Sequence, residues 1–152
     1  MFTDIKDKLD EISLRRIFAT CVGDSSPEGV ARKLDAYRNN ETWQMYGWVV
    51  DGKIIGICGF VDHTNREESP VKQVEILHIA VSKKGRHSGI GRAIIKALQE
   101  KCALQIAAET DDDAIGFYRV MRYLQYELNE SALTNRSRAA LPQLFAKDNF
   151  CE

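Results

Sequence analysis

The sequence predicts a mixed α/β fold, a mostly antiparallel sheet flanked by helices, on three observations. Residues 74–82 are a β-branched and apolar run too short for a helix; a basic loop with glycines at 85, 89 and 91 leads from it into Ile90, Ile94 and Leu98 at helical spacing. Two stretches of aromatic and β-branched residues, 43–50 and 53–61, flank Asp51-Gly52, a two-residue hairpin turn, so they pair antiparallel. Residues 104–110 follow the helix and read as a strand parallel to the first, reached by a crossover.

In chain order, residues 7–21 read as a helix with Leu9, Ile12, Ile17 and Cys21 inward and Arg15 and Arg16 outward, after at most a very short strand. Gly23 to Ser26 break the chain. Ser26 is a natural N-cap, Pro27 suits the first helical position, and Val30, Leu34 and Tyr37 mark one face of a second helix that ends at Asn39-Asn40. The hairpin follows, then a polar interval over 62–72 closed by Ser69-Pro70. In the helix after the basic loop, Ile90, Ile94 and Leu98 form one stripe and Gly91, Ile95 and Cys102 another, which leaves Arg92, Lys96, Gln99 and Glu100 for solvent. Residues 111–123 open on three acids and carry Ala114, Phe117, Tyr118 and Met121 on one side of a further helix. Residues 123–128 are strand-like, and a last strand is placed near 144–147.

Composition narrows the class. With 152 residues, 44% hydrophobic and 28% charged, the chain is expected to be a single domain over 1–152 with a full core. A net charge of -1 gives no general electrostatic reason to bind nucleic acid or an anionic membrane. No apolar run approaches the roughly 18 residues of a membrane span, and Asp4-Ile5-Lys6-Asp7-Lys8 is unlike a signal peptide, so a cytoplasmic location is expected. Cys21, Cys58, Cys102 and Cys151 form no Cys-x-x-Cys pair, which argues against a metal and for reduced thiols.

The basic loop carries the functional signal. A helix amino terminus holds roughly half a positive charge, and glycines let its amides converge on one point, so an anion is expected there. A dinucleotide fingerprint requires glycine where Ile94 stands, and a P-loop requires Lys-Ser/Thr where Arg92-Ala93 stands. What remains is Arg86-x-x-Gly89-x-Gly91 between an Ile-Ala-Val strand end and an amphipathic helix; a plain tight turn is the bland alternative. This pattern resembles the Gln/Arg-x-x-Gly-x-Gly/Ala signature of the GNAT acetyltransferases. The spacing Asp111-x-x-Ala114-x-x-Phe117-Tyr118 resembles the family's second signature, with Arg122-Tyr123 where a Gly-Phe is usual.

The resemblance spans about residues 5–128 and implies an acetyl-coenzyme A site. Arg86, His87, Ser88, Gly89, Ile90, Gly91 and Arg92 would hold the pyrophosphate. Backbone amides over Ile79, Ala80 and Val81 would bind the acetyl carbonyl and pantetheine arm, with Asp111 and Phe117 also at the donor. Arg86 and Arg92 are otherwise solvated loop cations.

An amine must lose a proton before it attacks a thioester, so a carboxylate near the strand is the useful group. Glu75 interrupts an apolar strand, where an unpaired carboxylate is costly to bury. It also resembles the general-base glutamate of the histone-acetylating GNAT members; a salt-bridged strand glutamate is the alternative. His78 is a second candidate base, or else a satisfied histidine on a sheet face. Tyr118 offers a hydroxyl to the departing thiolate, against the alternative of a tyrosine buried for its ring. No cysteine or serine sits in a nucleophile motif, which favours direct transfer to a primary amine. Trp43, Tyr46 and Trp48 either line an acceptor pocket or fill the core. The expected partners are acetyl-coenzyme A and a small or peptide amine, with a homodimer left open. The rival reading is a regulatory module that binds acyl-coenzyme A without turnover.

Overall fold

The structure, a computed structural model, describes residues 1–63, 73–102, 105–111, 125–127 and 136–141, with side chains to 102 and at 106–108. Seven strands form one sheet in the order β1-β2-β3-β4-β5-β7-β6, where β1 is Phe2–Asp4, β2 Trp43–Val50, β3 Lys53–Asp62, β4 Gln73–Val81, β5 Gln105–Asp111, β6 Gln125–Glu127 and β7 Arg136–Leu141. Every pairing is antiparallel except that of β4 with β5. The helices are α1 (Ile12–Phe18), α2 (Pro27–Asn39) and α3 (Ile90–Cys102).

The β2–β3 hairpin forms where its residue types place it, because Asp51 and Gly52 take φ of 48° and 73°, the double left-handed turn that matches strand twist. The start of α2 also follows its chemistry: the Ser26 hydroxyl accepts the Gly29 N–H at 3.0 Å with Pro27 behind it, and Val30, Leu34 and Tyr37 are buried. Its far end is tied by Lys6, whose Nζ donates to the carbonyls of Asn40 (2.8 Å) and Trp43 (2.7 Å).

The first helix is shorter than its periodicity suggests. Ile5 and Leu9 are both fully covered, which the chain achieves by a tight turn at Lys6–Lys8 with amides bonding three residues back, before α1 begins. Ile12 then falls on the outer side, 68% exposed rather than inward, and Leu14, Ile17 and Phe18 make the contact. A strand that the residue types did not mark is also present. β7 lies at 136–141 and pairs with β5 and β6, while 144–147 fall outside the described residues. Arg-Ser-Arg-Ala-Ala-Leu contains no β-branched residue, so its strand comes from the two neighbours that pair with it rather than from propensity.

Two apolar layers sandwich the sheet. α3 buries Ile94, Ile95 and Leu98 against Cys58, Phe60, Val74, Ile76 and Ile106 on one face, roughly 1.5–3 kcal/mol per covered aliphatic chain. α1 and α2 bury Leu14, Phe18, Leu34 and Tyr37 against Met45 and Ile57 on the other. Gln99 departs from the solvent-facing expectation. Its Oε1 is buried without a hydrogen-bond partner among the described residues, since Ile95 and Cys102 stand one turn away on the same side of α3. The three aromatic residues of β2 divide between the layers: Trp43 meets the Tyr37 ring edge-on at 5.1 Å, whereas Tyr46 and Trp48 pack on the α3 side, Tyr46 against Phe2 and Phe60. They fill core.

Candidate active site

The site is built on an irregularity in β4. Gly59 of β3 stands opposite His78, and the next residue, Phe60, opposite Ile76, so Leu77 is an extra residue in β4. Such a bulge increases local twist and re-aims the strand. It also inverts the alternation: Val74 and Ile76 face α3 before it, Ile79 and Val81 after it. Leu77 and Ala80 lie on the α1/α2 side, where His78 also meets Phe18 and Tyr37.

Pairing with β5 stops at the same place. The parallel ladder runs from Gln73 opposite Gln105 to Ile76 opposite Ala108, and from Leu77 to Val81 the edge toward β5 has no strand partner among the described residues. β5 itself continues to Asp111, paired only with β7 over its last three residues. The two central strands therefore part in a V. Backbone groups lining such a gap must find other partners. Ile79, Ala80 and Val81 are half-buried along this edge.

The glycine loop closes the wide end of the V. Gly89 has φ of 78° with open space where a Cβ would be, and His87 has φ of 62°, so the chain reverses direction twice before α3. The loop is braced by Ser88 Oγ donating to Gly85 O (2.5 Å), Arg86 Nε donating to Val81 O (3.2 Å) and Ser82 N–H to Ile55 O (2.9 Å). The first helical bond is Ala93 N–H to Gly89 O at 3.0 Å, which leaves the amides of Ile90, Gly91 and Arg92 without acceptors in the helix. Arg86 and Arg92 are exposed at this end, with Lys83 and Lys84 nearby in sequence. The free amides and the exposed cations at this end suit an anion.

Glu75 sits one rung before the strands part, opposite Val61 on one side and Ala107 on the other. Its side chain is 22% exposed, and its Oε2 lies 2.8 Å from Nε2 of His63, itself 11% exposed. Nothing in the residue types near His63 singled it out; only the β3–β4 register reveals it, because the His63 N–H donates to the carbonyl of Gln73 (3.0 Å) and so places His63 diagonal to Glu75 on one face.

His78 is held differently. Its Nδ1 is 2.6 Å from the Tyr37 hydroxyl, and its ring lies 4.8 Å from that of Phe18. Burial, with a smaller contribution from the Lys33 charge, lowers its pKa to about 4, and burial raises Tyr37 well above its usual value. The pair is therefore a protonated phenol and a neutral imidazole joined by one hydrogen bond. Gly59 makes room for this pair, since a Cβ there would collide with the Tyr37 hydroxyl at 2.1 Å.

Tyr118 and Phe117 lie outside the described residues, and of Asp111 only the backbone is described. Among the described residues no thiol is poised as a nucleophile: burial raises Cys21 to about 12, and Cys58 and Cys102 are raised as well. Nor, among them, does any group of three or more His, Cys, Asp or Glu stand ready for a metal, and no helix is long and apolar enough to cross a membrane.

Comparison with known proteins agrees with this architecture. A GNAT acetyltransferase from Elizabethkingia anophelis, solved with acetyl-CoA bound, superposes with a TM-score of 0.65 at 14% identity, over 93% of this chain and 96% of that one. The ribosomal-protein-S18-alanine N-acetyltransferase of Escherichia coli superposes with a TM-score of 0.65 at 17% identity, over 100% of this chain and 99% of that one. A Bacillus methanolicus protein called "uncharacterized N-acetyltransferase in lysA 3′ region" is 36% identical over 67 residues, 44% of this chain and 51% of that protein. The chain thus spans about half the length of the curated relative it matches. The model of the Acetyltransferase (GNAT) family matches residues 12–123, most of the chain, and with the parted strands and the glycine loop in place, the protein belongs to the GNAT family of acetyltransferases.

Proposed function

We propose that the protein moves an acetyl group from acetyl-coenzyme A to a primary amine by direct attack, in one domain. The observation that carries this reading is the coincidence of three features: the V between β4 and β5, the amide cradle at its mouth and a carboxylate at its closed end. The loop from Arg86 to Arg92 would take the pyrophosphate on the amides of α3, with the arginine cations at its rim. The unpaired edge of Ile79, Ala80 and Val81 would then bond the pantetheine amides as a strand would, and Asp111 and Phe117 are proposed to border the same donor.

Glu75 is proposed as the base. It takes a proton from the ammonium and releases it to solvent; the amine lone pair forms the N–C bond; the tetrahedral intermediate collapses with loss of the C–S bond and of the second nitrogen proton, which passes through solvent to replace the one given to the thiolate. Tyr118 is proposed to supply the proton that the thiolate takes up. The location of Glu75 supports it over His78, because a buried imidazole depressed to about 4 and already hydrogen-bonded to Tyr37 is a weak proton acceptor near neutral pH. The raised thiols support direct transfer over an acyl-enzyme.

Thermal unfolding with acetyl-coenzyme A tests the donor site. Ligand should raise the melting temperature of the wild type and leave that of Gly89→Val unchanged, because a β-branched residue at φ of 78° both strains the loop and fills the cradle. Gly91, buried in α3, is a poorer place for that substitution. Equal shifts in both proteins would remove the loop from the donor site. Free coenzyme A released with polyamines, aminoglycosides, amino acids and peptide amino termini then identifies the acceptor, and a panel that is silent while the donor binds would favour a regulatory module.

A further inference from the structure

The histidine that pairs with Glu75 has no part in the reading so far. Among the described residues, titratable side chains elsewhere include solvated surface pairs, such as Asp10 with Arg15 and Arg38, and the buried His78. His63 is different, since it is almost covered and bonds a carboxylate at the closed end of the V.

Three features bear on what it does. The contact is made by a ring nitrogen to one oxygen, Oε2, at 2.8 Å, so the second oxygen of the same carboxylate remains for another proton. The backbone of His63 is itself fixed by the bond to Gln73, so the imidazole projects from a strand position and not from a loose chain. The positions flanking Glu75 on its face, Val61, Leu77 and Ala107, are all apolar, so none of them can hold the carboxylate by hydrogen bond. A glutamate has three side-chain torsions, and a base that wanders by an ångström loses much of its advantage.

We propose that His63 is the positioning residue of acetyl transfer: its Nε2–H holds Glu75 by one carboxylate oxygen and thereby aims the other at the acceptor amine. This rests on Glu75 being the base. His63 touches neither substrate and transfers no proton; Glu75 accepts the amine proton as above. The role requires a neutral donor at the Nε2 position, which the amide of glutamine also provides, whereas leucine fills the space and provides none.

The test uses the full chain with acetyl-coenzyme A and the fastest amine of the panel above, together with carbon-13 NMR of the glutamate carboxyls, which needs no acceptor. His63→Leu should lower kcat by between about 10-fold and 10²-fold with the KM for acetyl-coenzyme A within twofold of wild type. It should also move the carbon-13 resonance of the Glu75 carboxyl, because the carboxylate has lost its hydrogen-bond partner. His63→Gln should restore both. Adding His63→Leu to Glu75→Gln should cost nothing more, since the two act through one group. If Glu75→Gln is slow but His63→Leu turns over at the wild-type rate, or if its Glu75 carboxyl resonance does not move, the positioning role is overturned and the base stands. If Glu75→Gln is as fast as wild type, the base reading itself falls, and the His63 proposal with it.

Discussion

β4 carries two titratable side chains three residues apart, and its two halves treat them in opposite ways. Before the bulge, Glu75 lies between two paired neighbours, keeps a window to solvent and is bonded at one oxygen. After it, His78 is packed between a phenylalanine and a tyrosine and is driven to its uncharged form. By residue type alone both are plausible bases, and the histidine is nearer to neutral pH in free solution. Environment favours the reverse order: a partly exposed carboxylate with one oxygen to spare can accept a proton, whereas a buried imidazole already bonded to a phenol serves the core.

The largest effect that would sharpen the contrast is kinetic. Glu75→Gln should reduce turnover by about 10² to 10⁴, while His78→Gln should leave it within a few-fold of wild type. The reverse pattern in steady-state rates would exchange the roles.

Next in size is the acid dependence of stability. The folded His78 titrates at about 4 against 6.5 when unfolded, so above 6.5 the imidazole is neutral in both states. As pH falls from 6.5 toward 4 the unfolded chain takes up the proton first, and the native state loses roughly 3 kcal/mol. Urea unfolding at pH 7 and pH 4 measures this. His78→Phe should flatten the slope in that window, and an unchanged slope would place the titrating group elsewhere.

The smallest effect concerns the partner. Tyr37→Phe leaves the His78 Nδ1 buried without its hydrogen-bond partner and should cost about 1–3 kcal/mol of stability with kcat little altered. A melting temperature equal to wild type would mean that water replaces the hydroxyl.

What the residues make legible differs between the two halves of the chain for a physical reason. The Asp51-Gly52 turn, the Ser26-Pro27 helix start and the strand-loop-helix over β4 and α3 are local devices, in which the residue types that build the feature are also the ones that mark it. Glu75 was legible in the same way, as a charge that breaks an apolar strand. The pairings that complete the site are not local. His63 reaches Glu75, and Tyr37 reaches His78, only through strand register and through a helix laid across the sheet, and nothing in either tripeptide announces it. Ile12 shows the converse, an apolar residue at helical spacing whose phase was lost when the preceding turn tightened. The strand at 136–141 is held by β5 and β6, which no propensity scale registers.

The extra residue at Leu77 gives β4 something like a reading frame. Sides of a strand are counted in twos, so one residue more or fewer between Glu75 and Ile79 would leave every side chain intact and yet exchange which of them face α3. On the proposed reading, the carboxylate and the amides that serve one thioester are written in different phases of the same strand, and the single inserted residue brings the two phases together. Substitution at Leu77 alters a side chain, whereas deletion there shifts the frame, letting the strand zip onward along β5 and closing the space in which the chemistry has to happen.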